Sequence, residues 1–506
     1  MITLGILCFS LFMVMLDSTV VNLAMPTIQR KLGASLTELQ WIVDAYILLL
    51  ASLLLTGGTL GDMFGRKKAF LGGLIMFTAG SLLCALSPTT GMLIGSRAFQ
   101  GIGAAIMMPS TLSILTNTFS DPKERAHAIG MWAGISGLAL AIGPLIGGAM
   151  VDSLGWQSIF LINIPIGLIA VVVAVRFVPE SADRAGRGLD LPGQAAAIIG
   201  LATLTYAFIE ANTYGWASAR IVSCFAVAAV ALVLFVVIEL RSKSPMLQLS
   251  FFRNTTFLGA NLVGVIVSFA FFGVIFFLSL FMQEAQGYSP IQAGVRQLPC
   301  TLAIAVTAVV SGRIVGRRGS RAPMTIGLLM LGVGLLFMTK LEPTSAYSVW
   351  WYWLALTGLG MGLIMSPMTS AIMGSVPTSR AGMASATSNT LRQVGSVFGI
   401  AVLGNIVTNR FTGRLSSALS TYHLPPAATR GIMSAASQGS QVVSTKLPAG
   451  VDAKAIGHTI GLSFASGMQL ALWISGLLLI AGAPIALFMI RDSASGSVGD
   501  PGQIRP

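Results

Sequence analysis

The sequence predicts an all-α polytopic membrane protein of fourteen helices, arranged as six plus two plus six, and three observations carry that prediction. Of its 506 residues 54% are hydrophobic and only 9% charged, with a mean hydropathy of +0.82, a composition foreign to water-soluble chains of this length. Apolar stretches long enough to cross about 30 Å of hydrocarbon recur from end to end. Short segments of the first half are also echoed about 250 residues later, as in transporters built from two related halves.

Taking apolar runs of about 20 residues in order, spans fall near 2–27, 41–60, 69–87, 92–118, 127–151, 156–178, 192–211 and 218–240. The remainder holds spans near 257–282, 291–315, 322–340, 346–373, 384–408 and 460–490. The first is too long, and lacks the basic leader, for a cleaved signal peptide. Met1 begins almost inside it, which leaves the true amino-terminal start open.

The net charge of +13 invites a nucleic-acid reading, but its distribution follows the membrane. Eighteen Lys and Arg fall on one side of the spans, nine on the other and three within them. The positive-inside rule then places both termini in the cytoplasm, with the lipid bilayer as the partner and no nucleic acid. Cys8, Cys84, Cys224 and Cys300 all lie inside spans, so no disulfide or metal framework is implied.

The echoes set the domain plan. GDMFGRKK after span 2 matches GRIVGRRG after span 10, GIGAAIMMP in span 4 matches GLGMGLIMSP in span 12, and ERAHAIG before span 5 matches SRAGMAS before span 13. Each pair is eight spans apart, where two six-helix halves alone would give six, so spans 7 and 8 are an insertion. The expected units are a six-helix bundle over 1–178, two inserted helices with linkers over 179–256, a second bundle over 257–490 and a cytoplasmic tail over 491–506. Residues 409–459, rich in Ser, Ala and Thr, read as a long extracytoplasmic loop with room for one surface helix.

Charged groups within spans are the functional candidates, because each costs about 2.5–3.5 kcal/mol on insertion scales. Asp17 is the only charged side chain between Thr3 and Pro26. Arg97 and Gln100 share a face of span 4, and an approach of Arg97 to Asp17 would hold that carboxylate charged. Asp44 lies in span 2 on the face of Trp41, and Trp41 and Tyr46 could offer ring faces to a cation. Glu210 and Glu239, at the ends of the inserted spans, read as structural and hydrated. Arg296 and Arg392 are interior, with no partner legible in the sequence.

Two glycine-rich segments complete the set. Gly57–Lys68 combines Gly61 and Gly65 with Asp62 and the basic trio Arg66, Lys67 and Lys68, a cluster suited to charge-assisted contacts with a neighbouring helix end. In span 5, Pro144 bends the helix while Gly137, Gly143, Gly147 and Gly148 smooth a face for close packing. The 24 Met and 26 Phe suit a pocket for variable apolar ligands, though most must face lipid or core.

Four of these segments, GGTLGDMFGRKK, GPLIGG, LDSTVVNLAMP and the Arg-Gln-Gly-Gly pattern of span 4, occur in an order that resembles the major facilitator superfamily. Fourteen spans resemble its drug/proton antiporter branch, which includes multidrug and methylenomycin-resistance exporters. The resemblance covers nearly the whole chain and implies the major facilitator fold, with no cofactor beyond the proton gradient. It implies that Gly61, Asp62, Gly65, Arg66 and Lys67 latch the cytoplasmic gate, that Arg97 takes part in proton coupling, and that Gly143, Pro144, Gly147 and Gly148 form the antiporter motif found in exporters. Met63 departs from the pattern, which commonly has a basic residue there, and Asp44 stands where many relatives carry a small neutral one.

The expected function is proton-coupled export of lipophilic, cationic drugs or antibiotics across a bacterial cytoplasmic membrane by a monomer. Asp17, Asp44 and Arg97 would handle the proton or cation, and Trp41, Tyr46, Gln100 and Arg392 are candidates for the substrate pocket. A dedicated exporter of one endogenous antibiotic or metabolite would carry the same motifs. An intramembrane lipid-modifying enzyme fits less well: His127, His423 and His458 sit at loop or span edges without metal spacing. A membrane receptor needs neither buried aspartates nor a two-bundle repeat.

Overall fold

A computed structural model describes residues 2–119, 121–182, 190–242, 245–377, 380–437 and 453–491. The first bundle comprises α1 (Ile2–Leu32), α2 (Leu36–Phe64), α3 (Arg66–Ala85), α4 (Thr90–Thr118), α5 (Pro122–Leu154), α6 (Ser158–Leu161) and α7 (Asn163–Phe177). The inserted pair is α8 (Leu191–Tyr214) and α9 (Ala219–Arg241). The second bundle holds α10 (Thr255–Leu280), which runs on into a π-helical turn at Phe281–Ala285, and then α11 (Pro290–Arg318) and α12 (Arg321–Phe337). It is completed by α13 (Trp351–Gly374), α14 (Ala381–Ser420), the short α15 (Pro426–Ser437) and α16 (Ala453–Met489). With α6 and α7 counted as one crossing, thirteen described segments are long and apolar enough to cross a membrane, and the 33-residue α5 is the fourteenth long helix.

Helix starts follow from the need to satisfy backbone N–H groups where the chain re-enters a medium without water. Ser35 and Glu38 form a capping box at α2, Ser289 and Gln292 another at α11, while Thr89 caps α4 and Asn254 caps α10. The sixth crossing is the single span expected, over Ser158–Phe177, with a one-residue interruption. Pro165 lacks the N–H that Leu161 would receive, and the chain breaks at Ile162 into α6 and α7.

Glycines set how closely the helices approach, as expected where lipid offers no hydrophobic drive for association. A Cβ on Gly103 of α4 would lie 2.8 Å from the Gly73 carbonyl of α3. The repeat recreates that contact in the second bundle, where a Cβ on Gly360 of α13 would lie 2.6 Å from the Gly327 carbonyl of α12. The sequence echo around Gly101 and Gly358 is therefore a packing echo.

Two expectations need correcting. The segment 409–459 is not mainly loop: α14 continues to Ser420, α15 follows and α16 begins at Ala453. Residues 438–452 of that segment, the linker residues 183–189 and the tail beyond Arg491 lie outside the described residues. Glu239 is not hydrated either, being 4% exposed and accepting the Leu247 N–H at 3.0 Å.

The basic end of the molecule carries the α2–α3 turn, and the bundles are tied directly at the opposite, far end. There Ser279 Oγ donates to the Asn22 carbonyl (2.8 Å), Gln283 Nε2 to the Leu23 carbonyl (3.1 Å) and Ser289 Oγ to Asp152 Oδ2 (3.3 Å). Between them, α5 packs on α11 and α2 on α14. The inserted α8 lies against both α2 and α14, while α9 rests on α8 and turns Val222, Val230 and Val233 outward.

Candidate functional site

Four crossings and one turn of helix converge on Asp17. Its Oδ2 lies 2.6 Å from Arg97 Nη1, and its Oδ1 accepts from Gln100 Nε2 (3.0 Å) and from Asn163 Nδ2 (3.2 Å). Arg97 Nη1 also donates to Gln100 Oε1 (2.6 Å), and Arg97 Nε to the Ile42 carbonyl (3.2 Å). Ser81 Oγ, on α3, accepts from both Gln100 (2.8 Å) and Asn163 (3.2 Å). The guanidinium lies over the Tyr46 ring, 4.1 Å from its centroid, and 5.7 Å from that of Phe160 in α6, an arrangement that adds cation–π attraction.

Asp17 and Asn163 are 1% exposed, and Arg97, Gln100 and Ser81 are 0% exposed. Arg97 is therefore no snorkelling residue near a helix end. A buried pair of this kind survives only with good geometry and hydrogen bonds to the remaining lone pairs, which Gln100 and Asn163 supply. Arg97 Nη2 is buried with no hydrogen-bond partner among the described residues.

Asn163 and Ser81 are the members that the sequence did not point to. Each is one of several uncharged polar residues in an apolar span, and Asn163 opens α7 beside the aspartate. Tyr46 does meet a cation, but that cation is Arg97. Trp41 turns elsewhere: its Nε1 donates to Glu210 Oε1 at 3.0 Å, and its ring lies against Tyr206 of α8. Asp44 is 0% exposed, and neither carboxylate oxygen has a hydrogen-bond partner among the described residues.

The turn segment docks on the end of α7. Arg66 pairs with Asp62 at 2.8 Å, its N–H donates to the Ser181 carbonyl (2.8 Å), and the Lys67 N–H donates to Glu180 Oε1 (3.0 Å). Lys67 Nζ reaches the Val175 carbonyl at 2.8 Å, a cation at a helix C-terminus. Gly65 has φ +113°, and a Cβ there would meet the Glu180 carboxylate at 2.7 Å, so conformation and space both require glycine. Gly61, buried, faces Ser110 of α4.

The span 5 motif lies between α1 and α11. Gly143 and Gly147 face Thr19 and Val20 of α1, two and three residues from Asp17, while a Cβ on Gly148 would lie 2.6 Å from the Pro290 carbonyl of α11. Gly294 of α11 in turn faces the Pro144 carbonyl; Gly137 lies among residues whose side chains are not described. Replacing Gly148 by Leu is expected to force α5 from α11, at about 1–3 kcal/mol of overpacking. The check is cross-linking of an Asp152→Cys/Ser289→Cys pair, whose yield should fall in the Gly148→Leu background; an unchanged yield would contradict the contact.

Comparison with known proteins agrees with this architecture. The model of the Major Facilitator Superfamily matches residues 7–400. The chain is 38% identical over 397 residues to multidrug resistance protein Stp of Mycobacterium tuberculosis, covering 78% of this chain and 74% of that one. It is 39% identical over 395 residues to a methylenomycin A resistance protein of Streptomyces coelicolor (78% and 83% covered). With the tetracenomycin C resistance and export protein of Streptomyces glaucescens it shares 34% identity over 490 residues (96% and 91%). Among solved structures, a bacterial homologue of the human lysosomal transporter Spinster superposes with a TM-score of 0.65 at 18% identity, 96% of each chain being covered; at that identity the likeness concerns the fold.

Proposed function

The chain belongs to the major facilitator superfamily, and on that premise we propose that it exports lipophilic drugs or antibiotics, cations among them, in exchange for protons. It is a multi-pass bacterial membrane transporter, not an enzyme. The proposal adds that both termini face the cytoplasm, that the monomer is the working unit, and that the proton gradient takes the place of any cofactor.

The observation that carries this reading is the Asp17–Arg97–Gln100 cluster beside the span 5 motif. A proton arriving on Asp17 cancels its charge and loosens Arg97, whose remaining partners are the Gln100 amide oxygen, the Ile42 carbonyl and the Tyr46 and Phe160 rings. Thr19 and Val20, one half-turn along α1, bear on Gly143 and Gly147, and the other side of α5 bears on α11. A change at Asp17 thus has a packed route to the second bundle, which alternating access requires. Asp44, buried with no hydrogen-bond partner among the described residues, can take a second proton without breaking any of those bonds.

Exchange of one proton for one monovalent cation moves no net charge, so the pH gradient alone drives it, at about 1.4 kcal/mol per pH unit. A second proton would add the membrane potential, about 2.3 kcal/mol per 100 mV. In inside-out vesicles with an acidic lumen, a fluorescent lipophilic cation should accumulate about tenfold per pH unit. Accumulation that persists after a protonophore collapses the gradient would sink the antiport reading. Because some relatives are named for many drugs and others for one antibiotic, a panel of substrates separates broad from dedicated export.

A further inference from the structure

Arg97, Arg296 and Arg392 all lie within long helices, and the structure provides for them unequally. Arg97 has a carboxylate. Arg296 lies against two tyrosine rings, 3.8 Å from the Tyr288 centroid and 5.4 Å from that of Tyr347. Arg392 of α14 has neither among the described residues: its Nη2 donates to Asn389 Oδ1 (2.7 Å), and Nη1 approaches only the Met365 sulfur, at 3.9 Å.

Its position makes that shortage matter. Arg392 is eleven residues into α14, about 16 Å from the basic end, and Met365 is nine residues from the end of α13, about 14 Å. Each figure is about half the 30 Å thickness of a hydrocarbon layer. Arg392 as a residue is half-buried, at the junction of α10, α13 and α14. Room for it is built in: a Cβ on Gly264 of α10 would lie 3.3 Å from Arg392 Cγ and 3.1 Å from the Met368 sulfur. An intramembrane cation without a counter-charge is expensive unless an anion meets it, and a guanidinium presents a planar fork that matches a carboxylate.

We propose that Arg392 is a cargo-binding residue that receives the acidic group of a lipophilic carboxylate, with the thioethers of Met365 and Met368 against its apolar body. This rests on the exporter reading and extends it: the cargo range includes lipophilic acids as well as cations, the carboxylates of the first bundle being left to protons. Asn389 is a positioning residue that holds the fork toward the site.

The test uses the purified full chain and two dyes that differ in one group, dansyl-phenylalanine and its neutral amide, with binding read from dansyl fluorescence. The native chain should bind the acid about tenfold or more tighter than the amide, as a charge-assisted hydrogen bond provides. That preference should vanish in Arg392→Gln and return in part in Arg392→Lys. Equal binding of acid and amide by the native chain, or an acid preference that survives Arg392→Gln, overturns the proposal. Should Arg392→Gln fail to fold, the native comparison and Arg392→Lys decide. In proteoliposomes, gradient-driven movement of a lipophilic cation without any acid preference removes the Arg392 site and keeps the exporter. Acid binding without gradient-driven movement of any dye does the reverse.

Discussion

Replacing Arg97 with Met should destabilise the protein by about 3–5 kcal/mol, because it leaves Asp17 charged and buried without its partner. Asp17→Asn alone leaves the guanidinium an acceptor but no counter-charge, and should also cost stability. The double variant Asp17→Asn/Arg97→Met removes both charges, so its loss should be smaller than the sum of the two. Reversible unfolding by added dodecyl sulfate measures the three variants, and the double-mutant cycle isolates the pair from the hydrogen bonds that Gln100, Asn163 and Ser81 contribute. Strict additivity would mean that Asp17 and Arg97 do not interact as the 2.6 Å contact implies.

The second large effect is on transport. Asp17→Asn keeps the shape of the side chain and an acceptor oxygen for Arg97, but it can no longer take up and release a proton. Uphill accumulation, about tenfold per pH unit in the native chain, should fall to about onefold. Exchange of labelled for unlabelled drug at equal concentrations, which needs no proton, should continue. Asp17→Glu should recover part of the uphill ratio, since it restores a titratable group within reach of Arg97. Should Asp17→Asn accumulate drug like the native chain, Asp17 is not the coupling residue, and Asp44 becomes the group to replace.

The contrast between these aspartates marks the boundary of what sequence can say. Both were legible as intramembrane charges, because a carboxylate in an apolar run stands out wherever the run folds. Asp17 proved to have three polar partners on other helices, whereas Asp44 has no hydrogen bond among the described residues. Nothing in LDSTVVN or IVDAYIL distinguishes them, since the difference lies in what α3, α4, α6 and α7 bring alongside. Trp41 teaches the same lesson: its spacing from Asp44 suggested a shared site, yet an inserted helix claims it through Glu210.

The sequence by itself determined the membrane class, the fourteen crossings, the six-plus-two-plus-six plan and the presence of Asp17, Arg97 and the two glycine motifs. These depend on hydropathy over about 20 residues and on local spacing, which the chain carries whatever its neighbours are. Tertiary structure alone decided the recruitment of Asn163 and Ser81 and the unequal provision for Arg97, Arg296 and Arg392. Each depends on which side chains from distant helices meet at one depth and rotation. In a bilayer that meeting is set by glycine contacts and by the demand that every buried polar group find a partner, neither of which a single span records.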